Sequence, residues 1–151
     1  MEYLQIPDSE SYALVSEIVE KTFDELKDSK EIIGGYRVLD CPEVNMREGI
    51  VACSAGYLHT GRKISGYMKG SGRIALFLCT AGKIFTGLSQ AYQQNGDFLE
   101  AFVVESIGSA TVENAMDKVQ QYLEEDMTEQ GKKITNRYSP GYCEWALSGQ
   151  R

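Results

Sequence analysis

GRIALFLCT, residues 72 to 80, is a nearly continuous apolar run of strand length. A run of this kind is ordinarily buried on both faces of a sheet, so it predicts a central strand. Two shorter β-rich stretches precede it, YRVLDC at 36 to 41, which Pro42 stops, and GIVACSAG at 49 to 56. Strands are therefore expected at about 36 to 41, 49 to 54 and 72 to 80, joined in one antiparallel or mixed sheet. Behind the central strand, Ile84, Phe85, Leu88 and Tyr92 predict a helix that ends at Asn95-Gly96, a pair suited to a helix stop. Asp97 can cap a second helix running to about Gln130, with Gly108-Ser109 in its middle as the natural place for a break. In front, Leu14, Val15, Ile18, Val19, Phe23 and Leu26 share one face of a helix over residues 8 to 28, with Asp8 or Ser9 as its N-cap. The expected class is α+β, a sheet of short strands packed with an N-terminal helix and long helices from 82 to 130.

The chain of 151 residues has the size of one domain, with a 42% hydrophobic and 25% charged composition typical of globular proteins. A single domain over 1–151 with one core is expected. No apolar run approaches the roughly 20 residues of a membrane span. The opening MEYLQIPDSE lacks a basic start and a long apolar stretch, so no signal peptide is expected and the chain is assigned to the cytoplasm. A net charge of −7 repels nucleic-acid phosphates on average, and the doublets Arg62-Lys63 and Lys132-Lys133 do not make a basic stripe. Cys41, Cys53, Cys79 and Cys143 are scattered without a CxxC pair, which predicts buried free thiols and no zinc site.

Two glycine motifs fail as phosphate loops. GYLHTGRK, 56 to 63, has Arg62 where a P-loop needs lysine and Lys63 where it needs a hydroxyl. KGSGR, 69 to 73, leads into a strand rather than a helix and reads as a tight turn. His59 is the sole histidine, and no spacing ties it to a cysteine or serine as a catalytic set. Glu113 lies beside the apolar stripe of Val112 and Met116, where packing of the long helix is expected to desolvate it in part.

RYSPGYCEW, residues 137 to 145, is harder to explain by packing alone. Pro140 fixes its own φ and drives Ser139 to an extended conformation, while Gly141 admits angles and close contacts that side chains forbid. Arg137 supplies a planar fork for a carboxylate, and Tyr138, Tyr142 and Trp145 supply flat faces for a ring or a cation. A zwitterionic or adenine-bearing small molecule suits these groups.

Arg137-Tyr138-Ser139-Pro140-Gly141-Tyr142 resembles the R-x-x-P-G-Y signature of the activation domain of cobalamin-dependent methionine synthase, which binds S-adenosylmethionine. RIALFLCTAG resembles that family's apolar strand followed by Thr-x-Gly, and AFVVESIGSATVENAMD its long helix, with Gly108, Ser109 and then Glu113. The resemblance covers about residues 70 to 145 and implies a stand-alone, C-terminally shortened version of the domain. It implies that Arg137 pairs with the carboxylate of S-adenosylmethionine, and that the turn of Ser139, Pro140, Gly141 and Tyr142 holds the adenosyl part. Glu113 would face the ammonium or sulfonium charge. In the family the domain carries no cobalamin of its own; it delivers S-adenosylmethionine to cob(II)alamin on the synthase while a flavodoxin-type donor supplies the electron. The expected partners are thus a cobalamin-loaded methionine synthase or another corrinoid protein and that donor, in methionine biosynthesis.

Two other readings stay open. One is a small-molecule methyltransferase that uses S-adenosylmethionine directly, with Glu113 or Tyr142 as its acid-base group. The other is an interaction or corrinoid-carrier protein without ligand turnover, in which His59 would serve as lower cobalt ligand.

Overall fold

The computed structural model describes residues 9–27, 31–41 and 43–150. In chain order it has helix α1 (Ser9–Leu26), strands β1 (Ile33–Asp40), β2 (Glu43–Asn45), β3 (Ile50–Cys53) and β4 (Gly56–His59), and helix α2 (Gly61–Tyr67). Strand β5 (Arg73–Thr80), helices α3 (Ile84–Asn95) and α4 (Phe98–Glu129) and a short 3₁₀ turn (Leu147–Gln150) complete it. The class is α+β. Its strands divide between two small sheets, one of order β1-β5 and one of order β2-β3-β4, instead of joining one central sheet. The chain forms two compact units, Met1–Gly34 with Cys79–Asp117, and Gly35–Leu78 with Lys118–Arg151.

In the first unit, α1 buries Val15, Ile18, Thr22 and Leu26, spaced three or four residues apart on one face. Leu14 and Phe23, expected on that face, are exposed, and Thr22 takes the inner place. Its hydroxyl donates to the Ile18 carbonyl at 2.7 Å, so burial leaves no polar atom unsatisfied. Asp8, one of the two expected N-caps, lies outside the described residues, and Ser9 is the first residue of the helix.

Helix α3 starts against a carboxylate, because Glu31 Oε2 accepts the N–H groups of Lys83 at 2.7 Å and Ile84 at 3.3 Å. A negative charge here satisfies otherwise unpaired donors and complements the helix dipole. Gly96, in the left-handed region at φ 87°, ends α3 as the Asn95-Gly96 pair predicts. Helix α4 then runs unbroken through Gly108-Ser109. A Cβ on Gly108 would sit 3.1 Å from Phe85 Cβ, so this glycine serves close helix packing and not a kink. Phe85 clusters there with Leu26, Ala81 and Val104.

In the second unit, β2, β3 and β4 form an antiparallel meander in which Val51 faces Val44 on one side and Leu58 on the other. Val51 is fully buried and clusters with Leu39, Cys41 and Ile74. After α2, whose inner face buries Ile64 and Ser65, Ser71 N–H donates to the Met68 carbonyl at 3.1 Å and Gly70 takes φ 81°. This is the turn expected at KGSGR. Strand β5 occupies the expected position, but it is not buried on both faces: Ile74 is inside, whereas Leu76 and Leu78 are 41% and 78% exposed. Ile74, Leu76 and Leu78 share one face of the strand, so burial falls off along it toward Leu78. The last turn of α4 closes at Gly131, φ 68°, and residues 132–139 continue without regular structure.

Candidate functional site

The RYSPGYCEW stretch folds into two linked tight turns in the second unit. Tyr142 N–H donates to the Ser139 carbonyl at 3.3 Å across Pro140 and Gly141, and Gly141 has φ 97°. Proline followed by a positive-φ glycine is the combination a type II turn demands. Trp145 N–H donates to the Tyr142 carbonyl at 3.0 Å, and Gly141 N–H donates to the Trp145 carbonyl at 2.8 Å. The amides of Gly141 and Tyr142 are thereby used inside the loop and are not offered to a ligand. The loop is anchored at the start of α2, where Glu144 Oε2 accepts the Arg62 N–H at 2.8 Å.

This turn fixes the two residues before it. The Tyr138 ring stacks on Tyr67 of α2, with centroids 5.6 Å apart and planes inclined by 17°. Arg137 is half-buried and donates from Nη1 to Gln120 Oε1 of α4 at 3.3 Å, which orients its guanidinium.

Arg137, Tyr138 and Trp145 line a cavity of about 670 Å³ lying wholly within the second unit, a size suited to a small ligand. Val119, Leu123 and Met127 of α4 line it together with Val38 of β1, Leu58 of β4 and the runs 69–77 and 132–138. Five basic residues, Lys69, Arg73, Lys132, Lys133 and Arg137, belong to the lining, and no Asp or Glu does among the described residues. In a chain of net charge −7 this segregation gives the lining a local excess of basic residues.

The structure thus brings Arg137 to the cavity with two aromatic neighbours, while Ser139, Pro140, Gly141 and Tyr142 shape the adjoining turn without lining it. Tyr142 is 67% exposed. Glu113 is part of the first unit, and its expected partial desolvation is not found: it is exposed on α4. His59 is exposed in β4, opposite Ile50 of β3. Of the four free cysteines expected to be buried, only Cys41 is; Cys143 is exposed and stands at φ 54°.

Sequence reasoning passed over Tyr67, Lys69 and Arg73, and it considered Lys132-Lys133 only as part of a nucleic-acid stripe. Lys69 and Arg73 stand together at the start of the apolar run, but no spacing joins them to Tyr67 or to Lys132-Lys133. No protein-family model matches this chain, and no curated protein is similar enough to match it.

Proposed function

We propose that the chain is a binding module for S-adenosylmethionine that assists reductive remethylation of the cobalamin of a methionine synthase or related corrinoid protein. The observation that carries this reading is the half-buried Arg137 guanidinium, hydrogen-bonded to Gln120 and lining a cavity together with Tyr138 and Trp145. A held guanidinium suits the ligand's carboxylate, and aromatic side chains beside it suit a purine. The turn from Ser139 to Tyr142 acts by fixing these groups. The partner supplies the cobalamin, and a flavodoxin-type donor supplies the electron.

Calorimetric titration of S-adenosylmethionine, with S-adenosylhomocysteine as the ligand lacking the sulfonium charge, tests the site. Saturable binding that Arg137→Ala weakens by about 1.5 to 3 kcal/mol, the worth of a charged hydrogen bond, is expected. The role the resemblance gives Glu113 is tested in the same titration with Glu113→Gln, which should weaken S-adenosylmethionine more than S-adenosylhomocysteine. Absence of saturation at millimolar ligand overturns the reading.

A further inference from the structure

The basic residues of the cavity exceed what S-adenosylmethionine needs. That ligand carries a carboxylate, which one guanidinium meets, together with an ammonium and a sulfonium that further cations repel. Lys69, Arg73, Lys132 and Lys133 nevertheless line the same cavity, and no Asp or Glu does among the described residues. Of these four, Arg73 alone has an ion-pair partner among the described residues, Asp40, which is 3.6 Å away and outside the lining. Lys132 donates to a neutral acceptor, Gln130 Oε1, at 3.2 Å. Like charges gathered around one concave surface repel one another, and an anion bound among them relieves that repulsion.

All five residues of the KGSGR turn, 69–73, belong to this lining. The turn leads into β5, so no helix N-terminus stands behind it as in a dinucleotide loop. Its two glycines still leave room for close approach, because nothing lies within 4 Å of a Cβ built on Gly70 or Gly72. The positive charge that a helix end would supply comes here from Lys69 and Arg73, at the two ends of the turn. The lining also includes Val119, Leu123 and Met127 of α4 and the half-buried ring of Trp145. A ligand with an anionic end and a flat body uses both kinds of group, whereas a free inorganic anion uses only the first.

We propose that the cavity is a site for a small phosphate ester bearing a flat ring, the chemistry of a nucleotide. Its phosphates meet Lys69, Arg73, Lys132 and Lys133 beside the KGSGR turn, and its ring lies among Trp145 and the apolar side chains of α4. Phosphate matches this set better than a single carboxylate does, because it gathers more than one negative charge and several acceptor oxygens where lysines can act as point charges. A volume of about 670 Å³ is within the range of small-molecule sites and has room for a mononucleotide. The proposal does not use Arg137. Failure of S-adenosylmethionine to bind therefore leaves it standing, and its own failure leaves the S-adenosylmethionine reading standing.

The test is calorimetric titration of the full chain with adenosine diphosphate, adenosine and pyrophosphate in magnesium-free buffer. Trp145, the sole tryptophan of the chain, reports on the cavity by its fluorescence. Expected are saturable binding of adenosine diphosphate with a change in Trp145 emission, and binding about tenfold or more weaker for adenosine and for pyrophosphate. Lys132→Gln/Lys133→Gln and Lys69→Gln should each weaken the diphosphate by about tenfold. Lys132→Arg/Lys133→Arg, which keeps both charges, should retain most of the affinity, and an unchanged melting temperature shows that each variant is folded. Added salt should weaken the diphosphate and leave adenosine unaffected. No saturable binding, unaltered Trp145 emission at saturation, adenosine or pyrophosphate binding as tightly as the diphosphate, or wild-type affinity in the glutamine variants would each overturn the proposal.

Discussion

Gly61 packs against Glu144 so closely that a Cβ on Gly61 would lie 2.5 Å from Glu144 Cβ. The same glutamate accepts the Arg62 N–H at 2.8 Å, so one residue both caps α2 and ties the RYSPGYCEW turns to it. Gly61→Ala therefore meets two penalties, a contact without room and a backbone at φ 76°. It is expected to destabilise by about 1 to 3 kcal/mol in urea unfolding. Gly70→Ala is the control: φ is 81°, but nothing lies within 4 Å of an added Cβ, so its cost is strain alone, about 1 to 2 kcal/mol. Equal losses for the two variants would show that the Glu144 contact gives way freely.

Glu144→Ala should lower stability by about 1 kcal/mol, as loss of a helix-capping acceptor does. It should also loosen the turns, read as faster amide exchange at Gly141 and Tyr142. Glu144→Gln, which keeps an oxygen acceptor in reach of the Arg62 amide, should recover most of both effects.

Gly108→Ala sets two quantities of opposite sign against each other. In a helix interior alanine is favoured over glycine by about 1 kcal/mol. Against that, the new Cβ would stand 3.1 Å from Phe85 Cβ, and Phe85 is buried. A closely packed aromatic yields poorly, so the variant is expected to be less stable than wild type. The companion Gly108→Ala/Phe85→Leu should be less destabilised than the sum of its single changes, measured by a double-mutant cycle.

Tyr36 donates its hydroxyl to Asp126 Oδ2. The hydrogen bond, followed by desolvation and the nearby negative charge, raises the phenol pKa above its ordinary value of 10.0. A pKa raised by folding stabilises fully below the unfolded value, and that contribution is lost as pH rises through the folded one. The wild type should accordingly exceed Tyr36→Phe in urea midpoint at pH 8 to 9, with the difference shrinking above pH 10. A difference that grows with pH would contradict the assigned donor.

Thiol reactivity should follow burial. Cys41 is buried, and burial, reinforced by neighbouring Cys53, pushes its pKa up, which withholds the thiolate. Cys143 is exposed. Titration with a chromogenic disulfide should label Cys143 first and Cys41 last, and Cys143→Ser should remove the fastest phase alone.

Much of the local structure was legible in the residues themselves. The helical spacing of Val15, Ile18 and Leu26, the apolar run at 72 to 80 and the Asn95-Gly96 stop each predicted an element that the fold contains. Gly108 was misread because a helical glycine looks alike as a break or as a place for a neighbour; only the position of Phe85 distinguishes them. For the site, Arg137 and its aromatic neighbours could be selected from chemistry and turn residues. Lys69 and Lys133, distant along the chain, carried no spacing that joined them.

Sequence by itself determined the α+β class, the long helices α1, α3 and α4 and the turn around Pro140-Gly141, because periodicity, caps and φ preferences act over a few neighbouring residues. Tertiary structure alone decided that the described strands form two sheets and that five basic residues gather around one cavity. The physical reason is that an alternating or apolar pattern specifies which side chains seek burial, whereas strand pairing and the convergence of charges depend on backbone partners far away in the chain.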